Sequence, residues 1–577
     1  MTLKISYFKL IRSNMKQKIW YGALSLLGFF LTLPLPVIIW GDLEESRGIV
    51  ENTAEYQEYV MRLLQGKIGA LGLLVVCMAL LGAWTGLSYL HSKKKMDLYG
   101  SLPVKREKMI LCGSMDTFLL FFGGYLFNVL LTILIMAVKN IMNGYIFQAA
   151  LTGMGIHLLF FLFFYFTAAI AMLLTGKIFV GILGTGVFLS AGPAIFIILN
   201  TLPEIFFKHY ISTQRFSQIL SYLSPIFTYL EVVANNREKV HEVLRYGSVA
   251  GPLIFAVICT VLLAGLTLWL AHIRPAESAE KAMAFSKTEG PVKGIILYII
   301  SILAGIFFYG MFSNNETWLW FFMIFSFVVF SIIIEIIYHQ DRRRIINHKL
   351  CTGISCGLAV LTVACFCFDI TGYDQWIPKK DQVENAIVFC GEWRGYYSYG
   401  EEKRKEYVST HMEQYHNEDA FSIAREGIRH ENDQEAFWDV EVWYQMKNGK
   451  IKKRSYGFTE KMYNEIRDGI LDKKSGRILA YPILLRLEEP VFVSAYEYGD
   501  DFEDMVDASE FTMAQRKEIL DLYLNELETL ESTQIWDDSG IVLGNKKNGI
   551  EEYYPLSDQF TKTVEKIRMY KEESMEK

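Results

Sequence analysis

Nine apolar stretches fill the first 370 residues of the chain, and no comparable stretch follows them. Because a hydrocarbon core about 30 Å thick needs about 20 apolar residues per helix, each stretch is long enough to cross a membrane once. The sequence therefore predicts a polytopic α-helical membrane domain of about nine spans, followed by a water-soluble domain attached to the last span. We place the spans at residues 20–40, 67–90, 114–138, 150–175, 177–201, 250–272, 292–312, 317–338 and 349–369.

The composition supports this division into two parts. The chain is 52% hydrophobic, which is too apolar for an ordinary soluble protein and too mixed for a pure membrane bundle. Residues 1–370 contain 29 Lys and Arg against 20 Asp and Glu, whereas residues 371–577 contain 28 against 43. Basic loops beside anionic lipid explain the positive membrane half. The strongly acidic remainder argues against nucleic acid as a partner.

The distribution of Lys and Arg over the loops predicts the orientation of the spans. Basic residues are concentrated in residues 1–19, 91–113 and 339–348, which fall on one side of the membrane if the nine spans are correct. The loop 41–66 is mainly acidic, and the loop 313–316 has no Lys or Arg. We therefore expect a multi-pass protein of the cell membrane with a cytoplasmic N-terminus. An odd number of spans places the C-terminal domain outside, and one miscounted span would reverse that side.

Residues 202–248 fit neither a span nor a hydrophilic loop. They contain a short apolar run, Phe216–Val233, which Ser224 and Pro225 interrupt. Such a run suits a re-entrant or interfacial hairpin on the outer face, since irregular backbone at membrane depth must be covered by protein. A buried helix packed on the bundle is an equally good interpretation.

Residues 370–577 predict an α+β soluble domain. Trp438–Met446 and Lys450–Tyr456 flank Asn448-Gly449, a pattern that predicts a β-hairpin with a type I′ turn. Thr512 fits the start of a capping box, which opens a helix running to about Leu530. Another helix is expected after Ser557, and further strands are expected at Ala386–Cys390, Pro482–Leu487, Val491–Tyr498 and Gly540–Leu543.

The loop between the second and third spans is the most informative local segment. Residues 91–108 are basic and partly amphipathic, with a Ser-Leu-Pro break in the middle. Because proline is tolerated in the first turn of a helix, we expect a new helix to begin around Pro103. Charge alone favours a topology anchor that needs no partner. The apolar side chains instead favour contact with a partner or with the membrane surface; they are Leu102, Val104, Met109 and Ile110.

This loop resembles the cytoplasmic loop of type-2 ABC exporter permeases of Gram-positive bacteria. The resemblance rests on Asp97, Tyr99, Ser101, Leu102, Pro103, Val104 and Arg106. It implies that a cytoplasmic ABC ATPase subunit docks on 92–112, and that a second permease copy or a paralogue completes the transport path. The residues expected to couple ATP hydrolysis to transport are Asp97, Tyr99, Leu102, Pro103, Val104 and Arg106.

The layout of the first half of the chain is also similar to that of these permeases. The resemblance implies an amphipathic cytoplasmic helix at 1–19 and a six-span core at 20–272, with 202–248 as the outer hairpin. The chain departs from the six-span pattern by three additional spans in 273–369 and by the domain 370–577. That larger layout resembles a clostridial subgroup with an uncharacterised C-terminal domain.

The sequence contains no nucleotide-binding loop of its own. An ATPase needs GxxxxGK followed by Ser or Thr, whose backbone amides hold the phosphates, and no segment matches this pattern. Gly181, Gly184 and Gly186 lie inside a span, where small residues serve helix packing. We therefore expect a non-catalytic subunit embedded in membrane lipid, without a cofactor or metal site, whose energy comes from a partner chain.

Glu335 is the clearest carboxylate inside a predicted span. An intramembrane charge is a functional candidate by default, but pairing with Arg342 or Arg343 near the interface is the simpler interpretation. An ion-coupled carrier would need several carboxylates deep in the bundle, so the sequence disfavours one. The remaining alternative to a permease is a membrane-anchored sensor or resistance module, whose outer domain binds a ligand such as an antimicrobial peptide.

Overall fold

The chain folds into two compact units in the computed structural model. The first unit contains residues 1–202 and 214–364, and the second contains 203–213 and 365–577. The second unit therefore includes a segment that the sequence placed in the outer hairpin of the core. The structure describes residues 7–46, 53–67, 69–211, 224–234, 246–339, 348–390, 412, 416–430, 437–473, 476–477, 480–481, 490–496, 506–507, 511–530, 540–545 and 551–575.

Nine helical segments in the described part of the chain are long and apolar enough to cross a membrane. This number confirms the prediction and is compatible with a multi-pass membrane protein. The segments are Ile19–Gly41, Glu55–Gly86, Arg106–Val138, Gly144–Leu174, Ile178–Phe206, Ala250–Ile273, Ser286–Met311, Glu316–Tyr338 and Lys349–Cys367. We refer to them as the first to the ninth span.

The helices of this part of the chain are numbered in chain order. They are α1 (Tyr7–Gln17), α2 (Ile19–Thr32), α3 (Pro34–Ser46), α4 (Thr53–Leu64), α5 (Gly69–Gly86), α6 (Lys93–Gly100), α7 (Arg106–Val138), α8 (Gly144–Leu174), α9 (Ile178–Phe206), α10 (Pro225–Ala234), α11 (Tyr246–Ile273), α12 (Glu289–Met311), α13 (Glu316–His339) and α14 (Lys349–Cys367).

Helix α8 is the most buried element of the first six spans. It contacts α4, α5, α7, α10 and α11, which surround it. The ring of Phe161 stacks on Phe121 of α7 at a centroid distance of 3.9 Å. The close approach of α4 to α8 requires glycine at position 153, because a Cβ on Gly153 would collide with the carbonyl oxygen of Leu64 at the end of α4. Small residues of this kind let membrane helices approach closely enough for van der Waals packing to hold them together.

The seventh to ninth spans pack by the same means. Helices α12 and α13 lie along each other, with Phe308 and Phe322 stacked at a centroid distance of 3.7 Å. A Cβ on Gly305 would meet the backbone oxygen of Leu319. The hydroxyl of Ser355 on α14 donates to a carbonyl oxygen of α12, that of Gly294, at 2.6 Å.

The segment expected to form an outer hairpin contains a short helix packed on the bundle. Helix α10 contacts α8 and α11, and its Tyr229 lies against Phe160 with ring centroids 4.8 Å apart. Tyr229 is almost completely buried. For 225–234 the structure therefore agrees with the second of the two interpretations, a buried helix. Residues 216–223 lie outside the described residues.

The described residues of the second unit form two antiparallel sheets. The first contains the strands Val383–Cys390, Trp438–Met446 and Ile451–Phe458 in that order. The second contains Val506–Asp507, Pro490–Tyr496, Gly540–Asn545 and Glu551–Pro555 in that order. Trp443, Tyr444 and Tyr456 of the first sheet are fully buried in the core. This arrangement agrees with the predicted α+β class. The elements are β1 (Val383–Cys390), α15 (Ala420–Arg429), β2 (Trp438–Met446), β3 (Ile451–Phe458), α16 (Glu460–Leu471), β4 (Pro490–Tyr496), β5 (Val506–Asp507), α17 (Met513–Thr529), β6 (Gly540–Asn545), β7 (Glu551–Pro555) and α18 (Thr561–Met575).

The predicted hairpin is confirmed, but its turn type is wrong. Strands β2 and β3 pair with Gln445 opposite Ile451. Gly449 has a positive φ of 75°, whereas the φ of Asn448 is not positive. A type I′ turn needs a positive φ at both central residues, so it is excluded. The amide of Gly449 donates to the carbonyl of Met446 at 2.8 Å, which fits a three-residue loop with glycine in the left-handed position.

The capping box at Thr512 is confirmed. Its hydroxyl accepts from the amide of Gln515, and the side chain of Gln515 accepts from the Thr512 amide. The helix after Ser557 is present as α18. The expected strands at 386–390, 491–498 and 540–543 correspond to β1, β4 and β6, whereas 482–487 lies outside the described residues.

Candidate functional site

The loop between the second and third spans is folded and largely exposed. A 3₁₀ turn at Ser88–His91 leads into the short helix α6, and residues 101–105 form a turn before α7. Three of the predicted coupling residues are exposed and three are half-buried. The exposed ones are Asp97, Pro103 and Arg106, and the half-buried ones are Tyr99, Leu102 and Val104. Leu98 on α6 is 66% exposed, so an apolar side chain stands out among the lysines.

The helix expected to begin around Pro103 begins later in the chain. Pro103 lies in the turn, and α7 begins three residues later at Arg106. The turn is closed by the amide of Val104, which donates to the carbonyl of Leu102 at 2.7 Å. Met109 and Ile110 are buried in the bundle and do not face a partner or lipid, because they lie in the first turns of a helix packed on its neighbours.

Arg274 binds this loop to the ends of other spans. It follows α11 directly and is 3% exposed. Its guanidinium donates to the carbonyl oxygens of Leu90, Met172 and Leu173 at 3.1, 2.8 and 3.0 Å. The last carbonyls of a helix have no partner within the helix and carry partial negative charge, so a buried cation satisfies them well. Burial lowers the pKa of Arg274 to about 10, still high enough to keep the side chain charged at neutral pH.

Arg106 extends this connection to the start of α7. Its guanidinium donates to the carbonyl oxygen of Arg274 at 2.7 Å. Tyr99 of α6 contributes a second contact, since its ring lies 4.6 Å from the ring of Tyr89. Arg106 and Tyr99, both predicted coupling residues, are therefore in direct contact with residues next to the sixth and second spans.

A short backbone ladder connects the turn after the fourth span with the connector after the sixth. The amide of Gly176 donates to the carbonyl of Ala282 at 3.1 Å, and the amide of Ala284 donates to Leu174 at 2.8 Å. A Cβ on Gly176 would collide with carbonyl oxygens of that connector. Lys93 at the start of α6 pairs with Glu280 of the connector at 3.0 Å. We call residues 88–106, 172–177 and 272–284 together the α6 layer.

His91 is buried inside the α6 layer. Its Nε2 lies 3.4 Å from the hydroxyl of Thr175. Burial, and then the positive charge of Arg274, lower the pKa of His91 to about 4. The imidazole is therefore neutral at physiological pH, because a second buried cation beside Arg274 would be unfavourable.

A second charged contact joins the junction between α1 and α2 to α7 within the first unit. The ammonium of Lys18 forms an ion pair with Asp116, which is completely buried, and donates to Thr117 at 3.0 Å and to the carbonyl of Gly113 at 3.2 Å. The chain just before the first span is thus fixed to the third span.

Glu335 is buried, and its partner is Lys293 of α12. The Lys293 ammonium lies 2.8 Å from a Glu335 carboxylate oxygen, and each side chain is at most 1% exposed. His348 lies 3.4 Å from the same oxygen. The predicted partners Arg342 and Arg343 lie outside the described residues. The sequence indicated Glu335 but not Lys293, which falls at the predicted edge of the seventh span.

Arg274 is the main residue that the sequence did not reveal. The pattern His272-Ile273-Arg274-Pro275 after an apolar span is typical of a basic residue at a membrane boundary. Its partners Leu90 and Met172 are 184 and 102 positions away, so no local pattern predicts them.

Neither known protein families, curated proteins nor solved structures provide a match to this chain. Within the residues that the structure describes, no cluster of three or more His, Cys, Asp or Glu side chains is arranged to hold a metal ion.

Proposed function

We propose that this chain is the transmembrane permease subunit of an ABC exporter, and that a separate cytoplasmic ATPase subunit docks on α6 and the following turn. The observation that carries the proposal is the connection from Arg106 to Arg274 and on to Leu90 and Leu173. An exposed surface is thereby joined to the ends of the second, third, fourth and sixth spans. A displacement of α6 would be passed to four spans at once.

The surface of α6 has the composition of a docking site for a protein. Lys93, Lys94 and Lys95 are exposed beside the apolar Leu98 and the exposed Pro103. An exposed apolar anchor with surrounding charges fits a partner groove that is apolar at its centre and acidic at its rim. A topology anchor accounts for the lysines but not for the exposed leucine or for the rigid connection behind it.

The proposed mechanism is alternating access. ATP binding and hydrolysis in the partner subunit shift α6, and the α6 layer moves the span ends as a group to open or close a path. In this proposal the α6 layer is cytoplasmic, the C-terminal unit is extracytoplasmic, and a second permease copy or a paralogue completes the path. The basic residues of α1, α6 and 339–348 support this orientation.

Co-purification tests the proposal directly. Full-length chain is isolated from its native membrane with a mild detergent, and the eluate is analysed for an ATPase subunit and for ATP hydrolysis. We expect an ATPase to accompany the wild-type chain, and we expect Leu98→Asp and Pro103→Ala to weaken its retention. Lys287→Ala, an exposed change outside the α6 surface, is the matched control. Retention of the ATPase by both variants at the wild-type level would refute the docking surface.

A further inference from the structure

A segment that follows the fifth span is bridged to the first sheet of the C-terminal unit. Residues 203–213 belong to the second unit. Tyr210 forms a β-bridge with Arg454 of β3, and the amide of Ser455 donates to the carbonyl of His209 at 3.3 Å. The His209 imidazole, through Nδ1, lies 2.9 Å from the carbonyl oxygen of Ser455. Because β3 is an edge strand of its sheet, this segment covers an edge that would otherwise be open.

Arg454 connects the same strand to the turn that follows the ninth span. It is 1% exposed, and its guanidinium donates to the carbonyl oxygens of Tyr373 and Trp376, both at 2.6 Å. It also lies over the ring of Tyr373 at 4.5 Å from the centroid. A planar guanidinium is suited to such combined stacking and multiple donation. Removing it would take a charged donor from both carbonyl oxygens, leaving the Tyr373 oxygen with the amide of Trp376 as a donor.

Asp374 connects the turn after the ninth span to residues 208 and 209. Its carboxylate accepts from the amides of Lys208 and His209, both at 3.2 Å. The carboxylate of Asp369 shapes the turn itself by accepting from the amides of Tyr373 and Asp374 at 2.7 and 2.9 Å. Hydrogen bonds to a carboxylate are stronger than those between neutral groups. We call residues 207–210, 369–376 and 454–456 the clasp.

Apolar contacts reinforce the clasp at the ends of two spans. Phe207 stacks on Tyr373 at 4.8 Å and lies 5.5 Å from Phe366, near the end of α14. All three rings belong to the second unit. The clasp thus joins three parts of the chain that are far apart in sequence, as the separation of 246 positions between His209 and Ser455 shows.

We infer that the clasp is a built-in restraint on the last turn of α9, residues 203–206, which it holds to the first sheet of the C-terminal unit. Helix α9 is continuous up to Phe206, so its last turn has no flexible linker before the clasp. The inference goes beyond the proposed export function and does not depend on an ATPase partner.

Hydrogen–deuterium exchange of the full-length chain in lipid nanodiscs tests the inference. In the wild type we expect slow exchange over 207–210. In Asp374→Ala the amides of Lys208 and His209 lose their acceptor, so we expect exchange there to accelerate at least about tenfold. Asp374→Asn keeps the side-chain volume and guards against a variant that fails to fold. Asp381→Ala, an exposed acidic residue before β1, is the control and should leave exchange unchanged.

The restraint itself is read from the end of α9. If the clasp holds the last turn of α9, exchange over 204–206 also rises in Asp374→Ala and Asp374→Asn. Wild-type exchange over 207–210 as fast as in an unstructured peptide would overturn the clasp. Faster exchange confined to 207–210, with 204–206 unaffected, would overturn the restraint. Neither result bears on docking at α6, which is measured separately by ATPase retention.

Discussion

Arg106 donates a hydrogen bond to the carbonyl oxygen of Arg274 at 2.7 Å, across 168 positions of sequence. Arg106 is exposed, whereas Arg274 is buried and holds the carbonyl ends of two other helical segments. A single hydrogen bond therefore links the exposed Arg106 to Arg274, which connects helix ends inside the bundle. In the proposed mechanism, this hydrogen bond transmits movement of the α6 surface to the bundle.

Replacing Arg106 should affect coupling more than folding. In Arg106→Ala the bond to Arg274 is lost, but the buried contacts of Arg274 remain. We expect normal amounts of folded chain, retention of the ATPase, and ATP hydrolysis by the complex reduced roughly tenfold. Lys287→Ala, an exposed change outside the α6 surface, is the control and should retain wild-type turnover. Equal turnover in the wild type and both variants would contradict the coupling role.

Replacing Arg274 should affect folding directly. Arg274→Met removes donors from buried carbonyl oxygens of Leu90, Met172 and Leu173, each of which is costly to leave unsatisfied. We expect a loss of about 3 kcal/mol or more of stability. Arg274→Lys keeps the charge without the planar fork, so an intermediate loss is expected. Thermal unfolding in detergent measures these losses of stability. Arg12→Met, at an exposed position, is the control. An unchanged unfolding midpoint in Arg274→Met would argue against the α6 layer as a structural connection.

Variants of the buried pair Lys293–Glu335 distinguish a structural role of this pair from a functional one. Lys293→Met removes the ammonium partner of the buried Glu335, which keeps the contact with His348, and Glu335→Met removes the carboxylate from the buried Lys293. Each should destabilise the chain by about 3–5 kcal/mol. The double variant should recover most of that stability, because both charges are removed together. Glu316→Gln, an exposed change at the start of α13, is the control. If the double variant is stable but its complex no longer hydrolyses ATP, the pair has a functional role instead.

His91 predicts a specific pH dependence of stability. Its folded-state pKa of about 4 lies below the ordinary value of 6.5, so the unfolded chain binds the proton more tightly. The stability that the neutral imidazole contributes is therefore present above pH 6.5 and is lost as pH falls from about 6.5 to about 4. His91→Asn should flatten this part of the stability profile. The comparison of unfolding midpoints between wild type and variant over pH 4–7 isolates His91 from other titrating groups, and parallel profiles would contradict the assignment.

The orientation is testable by cysteine labelling, but the native Cys390 is unsuitable because it is buried on β1. Lys450 in the β2–β3 turn is exposed and provides a better position. In intact cells an impermeant maleimide should label Lys450→Cys and should not label Lys94→Cys on α6. After the membrane is permeabilised both should react. The opposite pattern in intact cells would reverse the proposed sides.

The spans were predictable because membrane thickness fixes the length of an apolar helix. The capping box at Thr512 and the β2–β3 hairpin were predictable because short-range hydrogen bonding determines both. The type of turn was not, because Asn448-Gly449 is compatible with two loops of different length. Nothing in the local sequence distinguishes a two-residue loop from a three-residue loop that uses only Gly449 in the left-handed conformation.

The connections that define the candidate site and the clasp were not predictable from local pattern. Arg274 and Arg454 each bind backbone carbonyls, and a carbonyl has no sequence signature. The association of residues 203–213 with the C-terminal unit depends on pairing across more than 200 positions. Such contacts depend on the packed structure, whereas spans and caps depend on neighbouring residues.

The central claim is that a separate ATPase subunit binds the α6 surface, and site-specific photo-crosslinking in native membranes tests it most directly. A photoreactive amino acid at Leu98, which is exposed on α6, should give a crosslinked product that contains an ATPase chain. The same group at the exposed Lys287 is the control and should give little of that product. No ATPase adduct at Leu98, in membranes where the chain is folded and abundant, would contradict the account.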